Sequence, residues 1–222
     1  MNVFNIIGPV MIGPSSSHTA GACRLGRVAH KIMNEEQPEE VTIELSGSFA
    51  RTYRGHGTDR ALLAGIMGYH SDDTEVRDAL EIAKERGLQY TFVPCDIPGA
   101  HPNTARIHFR LKDGREGVVM GASVGGGNIR IDEIDGLHVN FTGDNTAMLV
   151  VHDDVPGVIA SVTNLLSSRY SEMNICNFSL TRSERGGTAL MTLEFDQDPP
   201  ETLKTDVSTL PHVRSVSVFH AF

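Results

Sequence analysis

Met148-Leu149-Val150-Val151-His152-Asp153-Asp154-Val155-Pro156-Gly157-Val158 decides how the second half of the chain folds. The apolar run reads as a strand and Asp154-Val155-Pro156-Gly157 as a turn. Val158, Ile159, Val162, Leu165 and Leu166 then recur as one face of a helix. Two further strands, Ile175 to Thr181 and Ala189 to Phe195, are joined across Glu184-Arg185-Gly186-Gly187. A short helix near 200–207 leads to a last alternating strand, Val213 to Val218. The order βαββαβ is that of a ferredoxin-like split βαβ sheet, assigned here to residues 146–222. A unit this small favours a partner surface. Gly157 at the helix start frees backbone N–H groups for a carboxylate; a plain proline-led helix entry is the alternative.

Upstream, Ala22, Leu25, Ala29, Ile32 and Met33 mark an amphipathic helix over 18–34, and Val41 to Leu45 alternates as a strand. After a turn at Gly55-His56-Gly57-Thr58-Asp59, residues 61–67 read as a buried helix. Thr74 is expected to cap another, with Val76, Leu80 and Ile82 or Ala83 inward. Residues 94–103, with three prolines, form an ordered loop. Ile107 to Met120 make a hairpin closed by Asp113-Gly114, and Ser123 to Gly127 interrupt a strand pattern that Ile129 and Ile131 resume. Residues 1–145 thus read as one α+β domain, and the chain as α+β throughout.

With 222 residues and a net charge of -9, and with Lys and Arg in no basic stripe, the chain is not built for nucleic acid. No tract reaches the length of a membrane span. Met1 to Ile7 lacks the features of a signal peptide and reads as part of the fold, which points to the cytoplasm. Cys23, Cys95 and Cys176 form no CxxC pair, so neither a disulfide framework nor a zinc knuckle is expected. Cys23 and Cys176 read as small core residues; Cys95 opens the proline-rich loop.

Four clusters carry candidate chemistry. Gly13-Pro14-Ser15-Ser16-Ser17-His18-Thr19 puts hydroxyls and an imidazole at a helix start, where an anion and a base can share one turn. A hydroxyl N-cap beside a solvated histidine is the plainer alternative. Gly55-His56-Gly57-Thr58-Asp59-Arg60 repeats that logic, or is a tight loop whose histidine faces water. Gly99-Ala100-His101-Pro102-Asn103-Thr104 sets a third imidazole beside an amide and a hydroxyl. Ser123 with Gly125, Gly126 and Gly127 is either an anion nest or a glycine-rich bulge. The histidines lack the i, i+4 spacing of a helical metal site, so proton transfer suits them better. Lys31, Lys84, Lys112 and Lys204 are not placed for a Schiff base, and no Gly-x-Ser-x-Gly elbow is present.

Taken in order, these four motifs and the βαββαβ region resemble the beta-chain family of the two-chain, iron-sulfur-dependent bacterial L-serine dehydratases over essentially the whole length. The resemblance implies that 1–145 is a serine dehydratase beta-chain domain, akin to the allosteric substrate-binding domain of some phosphoglycerate dehydrogenases. It implies that 146–222 is an ACT domain. The implied reaction is loss of water from L-serine, giving pyruvate and ammonia. A [4Fe-4S] cluster, ligated by a separate alpha subunit rather than by this chain, serves as Lewis acid. His56 is then the first choice for the base. His18 binds or orients the substrate carboxylate with Ser15, Ser16 and Thr19, and Ser17, Gly57, Thr58, His101, Asn103, Ser123 and Gly125 are further substrate-binding candidates. In the ACT region the resemblance implies effector contacts at Val155, Gly157 and Asn174 and side-by-side pairing of two copies. The competing expectation is a non-catalytic regulatory subunit that binds an amino acid, a task needing donors but no proton acceptor.

Overall fold

A computed structural model describes residues 10–221; the stretch Met1 to Ile7, expected to join the fold, lies outside the described residues. The chain divides into two compact units, one up to Asp135 and one from Gly136.

In the first unit a wide π-type turn at Ser17–Gly21 runs into α1 (Ala22–Ile32). There follow β1 (Glu40–Ser46), α2 (Gly47–His56), α3 (Thr58–Ile66), a 3₁₀ turn at Thr74–Asp78 and α4 (Ala79–Glu85). The unit closes with β2 (Gln89–Cys95), β3 (Thr104–Arg110), β4 (Glu116–Gly125) and β5 (Asn128–Ile134). Its strands lie in the order β2-β1-β3-β4-β5, with β2 parallel to β1 and the other pairings antiparallel. Alternation in β1 sends Val41, Ile43 and Leu45 into the core.

Helices α1 and α3 touch through glycine. A methyl at Gly65 would overlap the Cys23 carbonyl, and one at Gly26 the Leu62 carbonyl. The helices run in the same direction, since His18 meets His56 near their N-terminal ends and His30, in the last turn of α1, meets Gly68 just past the end of α3. Their first turns are therefore neighbours.

Three elements differ from the sequence expectation. Residues 47–56 form a helix rather than leading loosely into a turn; only Phe49 on it is buried, so it shows no apolar stripe. Residues 89–95 form an edge strand that admits Pro94 because, among the described residues, nothing pairs on its far side. Thr74 caps nothing: its hydroxyl bonds Glu75 at 3.2 Å, and the chain makes a 3₁₀ turn before α4.

The second unit comprises β6 (Leu137–Phe141), β7 (Thr146–Asp153), α5 (Val158–Arg169), β8 (Ile175–Arg182), β9 (Thr188–Phe195), α6 (Thr202–Ser208) and β10 (Val213–Phe219). β6, which the sequence reading grouped with residues 1–145, is counted here because Phe141 packs on Phe219, ring centres 5.5 Å apart. The remaining strands form an antiparallel sheet in the order β10-β7-β9-β8, with Val162 and Leu166 of α5 and Leu203 and Val207 of α6 packed on Met148, Val150, Met191 and Leu193. That order is the split βαβ arrangement. Cys176 is a correction: the register shifts between Ile175 and Asn177, leaving Cys176 as the extra residue of a bulge, exposed rather than in the core. Cys23 is buried as expected. Among the described residues no helix is long and apolar enough to cross a membrane.

Candidate functional site

Gly57 is the joint on which the site turns. Its φ of 71° lies in the left-handed region, where glycine carries no Cβ penalty, and it ends α2 and starts α3 without a linker. His56 is thereby left exposed at the end of α2. Across from it, the π-type turn buries His18 to 9% exposure. The two rings meet edge to face at 4.7 Å between centres, and Phe49 packs on His18 from another side at 5.2 Å. π-type turns of this kind are frequent at functional sites.

Hydrogen bonds fix the state of His18. The Thr52 hydroxyl donates to the Ser48 carbonyl at 2.8 Å, so toward His18 Nε2, 3.1 Å away, it can only accept. His18 therefore carries its proton on Nε2, with the Ser48 hydroxyl also in reach at 3.3 Å. Nδ1 is left as the acceptor and faces the Ser15 hydroxyl at 3.4 Å, which also accepts from the His18 backbone N–H. Burial, and then the neighbouring His56, holds the ring below the usual imidazole range. With both nitrogens engaged by hydroxyls of its own chain, His18 is suited to holding a neighbouring ring rather than gripping a carboxylate. Ser48 and Thr52 were missed from the sequence, because the helix that presents them has no periodic signal.

The other expected residues divide. Loop 101–104 docks on α2, with the Pro102 carbonyl accepting the Ser48 N–H at 2.6 Å, and within it the Asn103 N–H donates to His101 Nδ1 at 3.2 Å. Ser123 sits at the π-type turn, where a methyl on Gly21 would overlap its hydroxyl, and its N–H bonds the Asn103 carbonyl at 3.0 Å. Ser16 contributes its carbonyl, which accepts the Gly21 N–H at 2.9 Å. Ser17 is the first residue of the π-type turn and is half-buried. Gly125 is the last residue of β4, paired with Asn128 across the turn made by Gly126 and Gly127, which Arg24 braces by donating to the Gly127 carbonyl at 2.8 Å.

Four side-chain oxygens here are buried with no hydrogen-bond partner among the described residues: Thr19 Oγ1, Thr58 Oγ1, Asn103 Oδ1 and Ser123 Oγ. All four belong to residues picked out by motif. Each such atom costs about 1–3 kcal/mol when left unmet, so a ligand that meets them would recover that cost. Of the four residues Thr19 lines a cavity of about 320 Å³, together with Gly13, Arg54, His56, Gly57, Arg60 and Arg77, among others. Arg54 and Arg77 are a second omission of the sequence reading, and Arg60, quoted in its motif, was given no role; only the fold gathers the three. Asp59 lies beneath, its carboxyl raised by burial and accepting the Arg60 N–H at 2.9 Å.

Metal-ligating groups do not converge: among the described residues no three His, Cys, Asp or Glu side chains are placed to hold an ion. Cys23 is spent on the Tyr69 carbonyl at 3.3 Å, and Cys176 lies in the other unit. Among the described residues no cysteine, Cys95 at the end of β2 included, belongs to a group of three such side chains.

In the second unit Gly157, φ 97°, stands at the start of α5 as expected. Asp154 is spent on structure, accepting from Gly186 N at 2.9 Å and Arg182 at 2.8 Å, which together hold its carboxyl below the usual range. Asn174 does not join Val155 and Gly157 within one chain. Ile175 and Thr146 both pair with Phe195, so Asn174 is level with the start of β7 while Gly157 follows its end. The Asn174 amide bonds Asp196 at 2.6 Å.

Residues 2–93 match the family model described as serine dehydratase beta chain. The chain is 43% identical over 216 residues to the probable L-serine dehydratase, beta chain, of Bacillus subtilis (strain 168), covering 97% of this chain and 96% of that one. It is 39% identical over 207 residues to the L-serine dehydratase, beta chain, of Peptoniphilus asaccharolyticus, covering 93% and 92%. A D-3-phosphoglycerate dehydrogenase of Bacillus subtilis (strain 168) is 27% identical over 199 residues, 89% of this chain but 37% of that one.

Proposed function

Because the chain belongs to the serine dehydratase beta-chain family, we propose that it is the beta subunit of an L-serine dehydratase whose active site is completed by a separate alpha chain. The observation that carries this is the His18–His56 pair, a neutral, hydroxyl-locked imidazole bracing an exposed one at the mouth of a cationic cavity.

In the reaction L-serine loses its Cα proton and its hydroxyl. The aminoacrylate so formed tautomerises and hydrolyses to pyruvate and ammonia. His56 takes the Cα proton, the task of a general base near neutral pH. His18 positions that ring. The unmet Thr19 hydroxyl and the cations around it receive the substrate carboxylate. The [4Fe-4S] cluster is assigned to the alpha chain, so this chain alone turns over no serine.

The second unit is read as an ACT domain that pairs with a second copy. Phe178 and Leu180, on edge strand β8, are 40% and 39% exposed, beyond the cover of α5 and α6, and Asn174 would reach an effector at Gly157 only from a neighbouring copy.

The test is co-expression with an alpha-type chain under anaerobic conditions and an assay of pyruvate. His56→Ala is expected to lower turnover at least ~100-fold with the complex intact. Turnover unchanged, with only regulation lost, would instead make this chain an amino-acid-sensing subunit.

A further inference from the structure

The geometry points to a second role for the cavity at the start of α3: it receives a compact dianion, of the phosphate or dicarboxylate class, which competes there with the substrate. The competition rests on the catalytic reading of His56; the binding does not.

The cavity is lined by Arg54, Arg60, Arg77 and His56, and among the described residues no Asp or Glu contributes to its wall. This is a concentration of positive charge in a chain whose net charge is -9. Among the described residues none of the three guanidiniums lies at ion-pair distance from a carboxylate; Arg60 and Arg54 feel the charge of the buried Asp59 carboxyl at longer range, and nothing comparable offsets Arg77. Arg54 lies 5.3 Å from the Tyr53 ring centre, which steadies it without neutralising it. Thr19, 2% exposed, lines the same cavity, and its hydroxyl has no partner among the described residues. The start of α3 adds partial positive charge and the end of α2 at the same joint offsets it, so the guanidiniums set the sign of the field. About 320 Å³ is at the small end of ligand pockets.

The electrostatics favour charge two over charge one. A zwitterionic amino acid brings an ammonium for which no carboxylate side chain lines this wall among the described residues, Asp59 being 8% exposed with Oδ1 on the Arg60 N–H. A dianion brings no ammonium and can meet several guanidiniums and the Thr19 hydroxyl together.

The test is calorimetric titration of the full chain, without partner and at low ionic strength, with inorganic phosphate, malonate, acetate and L-serine. Phosphate or malonate is expected to bind at least ~10-fold tighter than acetate or L-serine, and Arg60→Gln, Arg77→Gln and Thr19→Val each to weaken it by ~10-fold. Binding of phosphate alone, or of malonate alone, supports the site and names its class. Equal affinity for acetate or L-serine, no binding of either dianion, or Arg60→Gln and Arg77→Gln variants that bind as the parent would overturn it. In the two-chain enzyme the favoured dianion should raise the KM for L-serine and leave kcat unchanged. An unaltered KM sinks the competition, whereas full activity of His56→Ala removes the catalytic reading and leaves the calorimetric result standing.

Discussion

His18 and His56 stand with ring centres 4.7 Å apart and planes at 88°, though 37 residues separate them in the chain. What brings them together is backbone contact between two helices. Gly26 and Gly65 leave no side chain between α1 and α3, so the turns that precede these helices converge on one spot. The hydroxyls of Ser48 and Thr52 then settle which nitrogen of His18 bears the proton.

Thr52→Val removes the acceptor that fixes this tautomer. In the parent, nitrogen NMR of labelled histidine should show His18 protonated on Nε2. In the valine variant the two tautomers should mix, and turnover of the two-chain enzyme should fall ~5–10-fold, the scale of one hydrogen bond. Thr52→Ser, which keeps the oxygen, should restore both readings. A pure Nε2–H signal in Thr52→Val would show that something other than this hydroxyl sets the tautomer.

Acid should loosen the first unit through two histidines. Burial lowers both His18 and His30 from the ordinary value of 6.5. Below that value the unfolded chain binds protons that the folded chain refuses, so stability falls as pH drops from about 6.5 through the lowered values. Above 6.5 both states are neutral at these positions and the contribution is flat. Urea midpoints measured across this range should decline on the acid side, and His30→Gln should flatten part of that decline. A midpoint that rises on acidification would contradict the burial of both rings.

Much of this architecture was legible where packing imposes a period. α1, β1, the Asp113-Gly114 hairpin and the βαββαβ order all put apolar residues at regular intervals, because each buries one face. α2 buries only Phe49 and so has no stripe to read, and with it Ser48, Thr52 and Arg54 were lost from view. His18, His56, Asn103 and Ser123 stood out because hydroxyls and imidazoles between glycines serve packing poorly. Arg77 gave no such sign, and Arg60 was quoted at the end of a motif without a role, for isolated arginines on helices and turns look like ordinary surface. Cys176 was misplaced because a bulge breaks strand alternation without changing composition.

The thiols should separate cleanly on alkylation. Cys23 is fully buried and its thiol is pushed up to about 12, mainly by burial. Cys176 is exposed. With iodoacetamide at about pH 8, mass spectrometry should find Cys176 modified at least ~100-fold faster than Cys23 in the folded chain, since the reactive species is the accessible thiolate. In denaturant the two rates should converge. Rapid labelling of Cys23 in the native protein would mean that α1 is not packed as described.

Gly65→Ala tests the contact that assembles the site. In an exposed helix the change would add stability of about 1 kcal/mol through helix propensity. Here the new methyl would overlap the Cys23 carbonyl and crowd the Arg27 N–H, both backbone groups that cannot rotate away. Overpacking of this sort costs about 1–3 kcal/mol, so the net effect should be destabilising, read as a lower urea midpoint. The helices must part to admit the methyl, and that withdraws His18 from His56. Turnover of the two-chain enzyme should therefore fall more than the remaining folded fraction accounts for. Were Gly65→Ala to raise the midpoint, the close approach of α1 and α3 would be wrong, and with it the basis for pairing the two imidazoles.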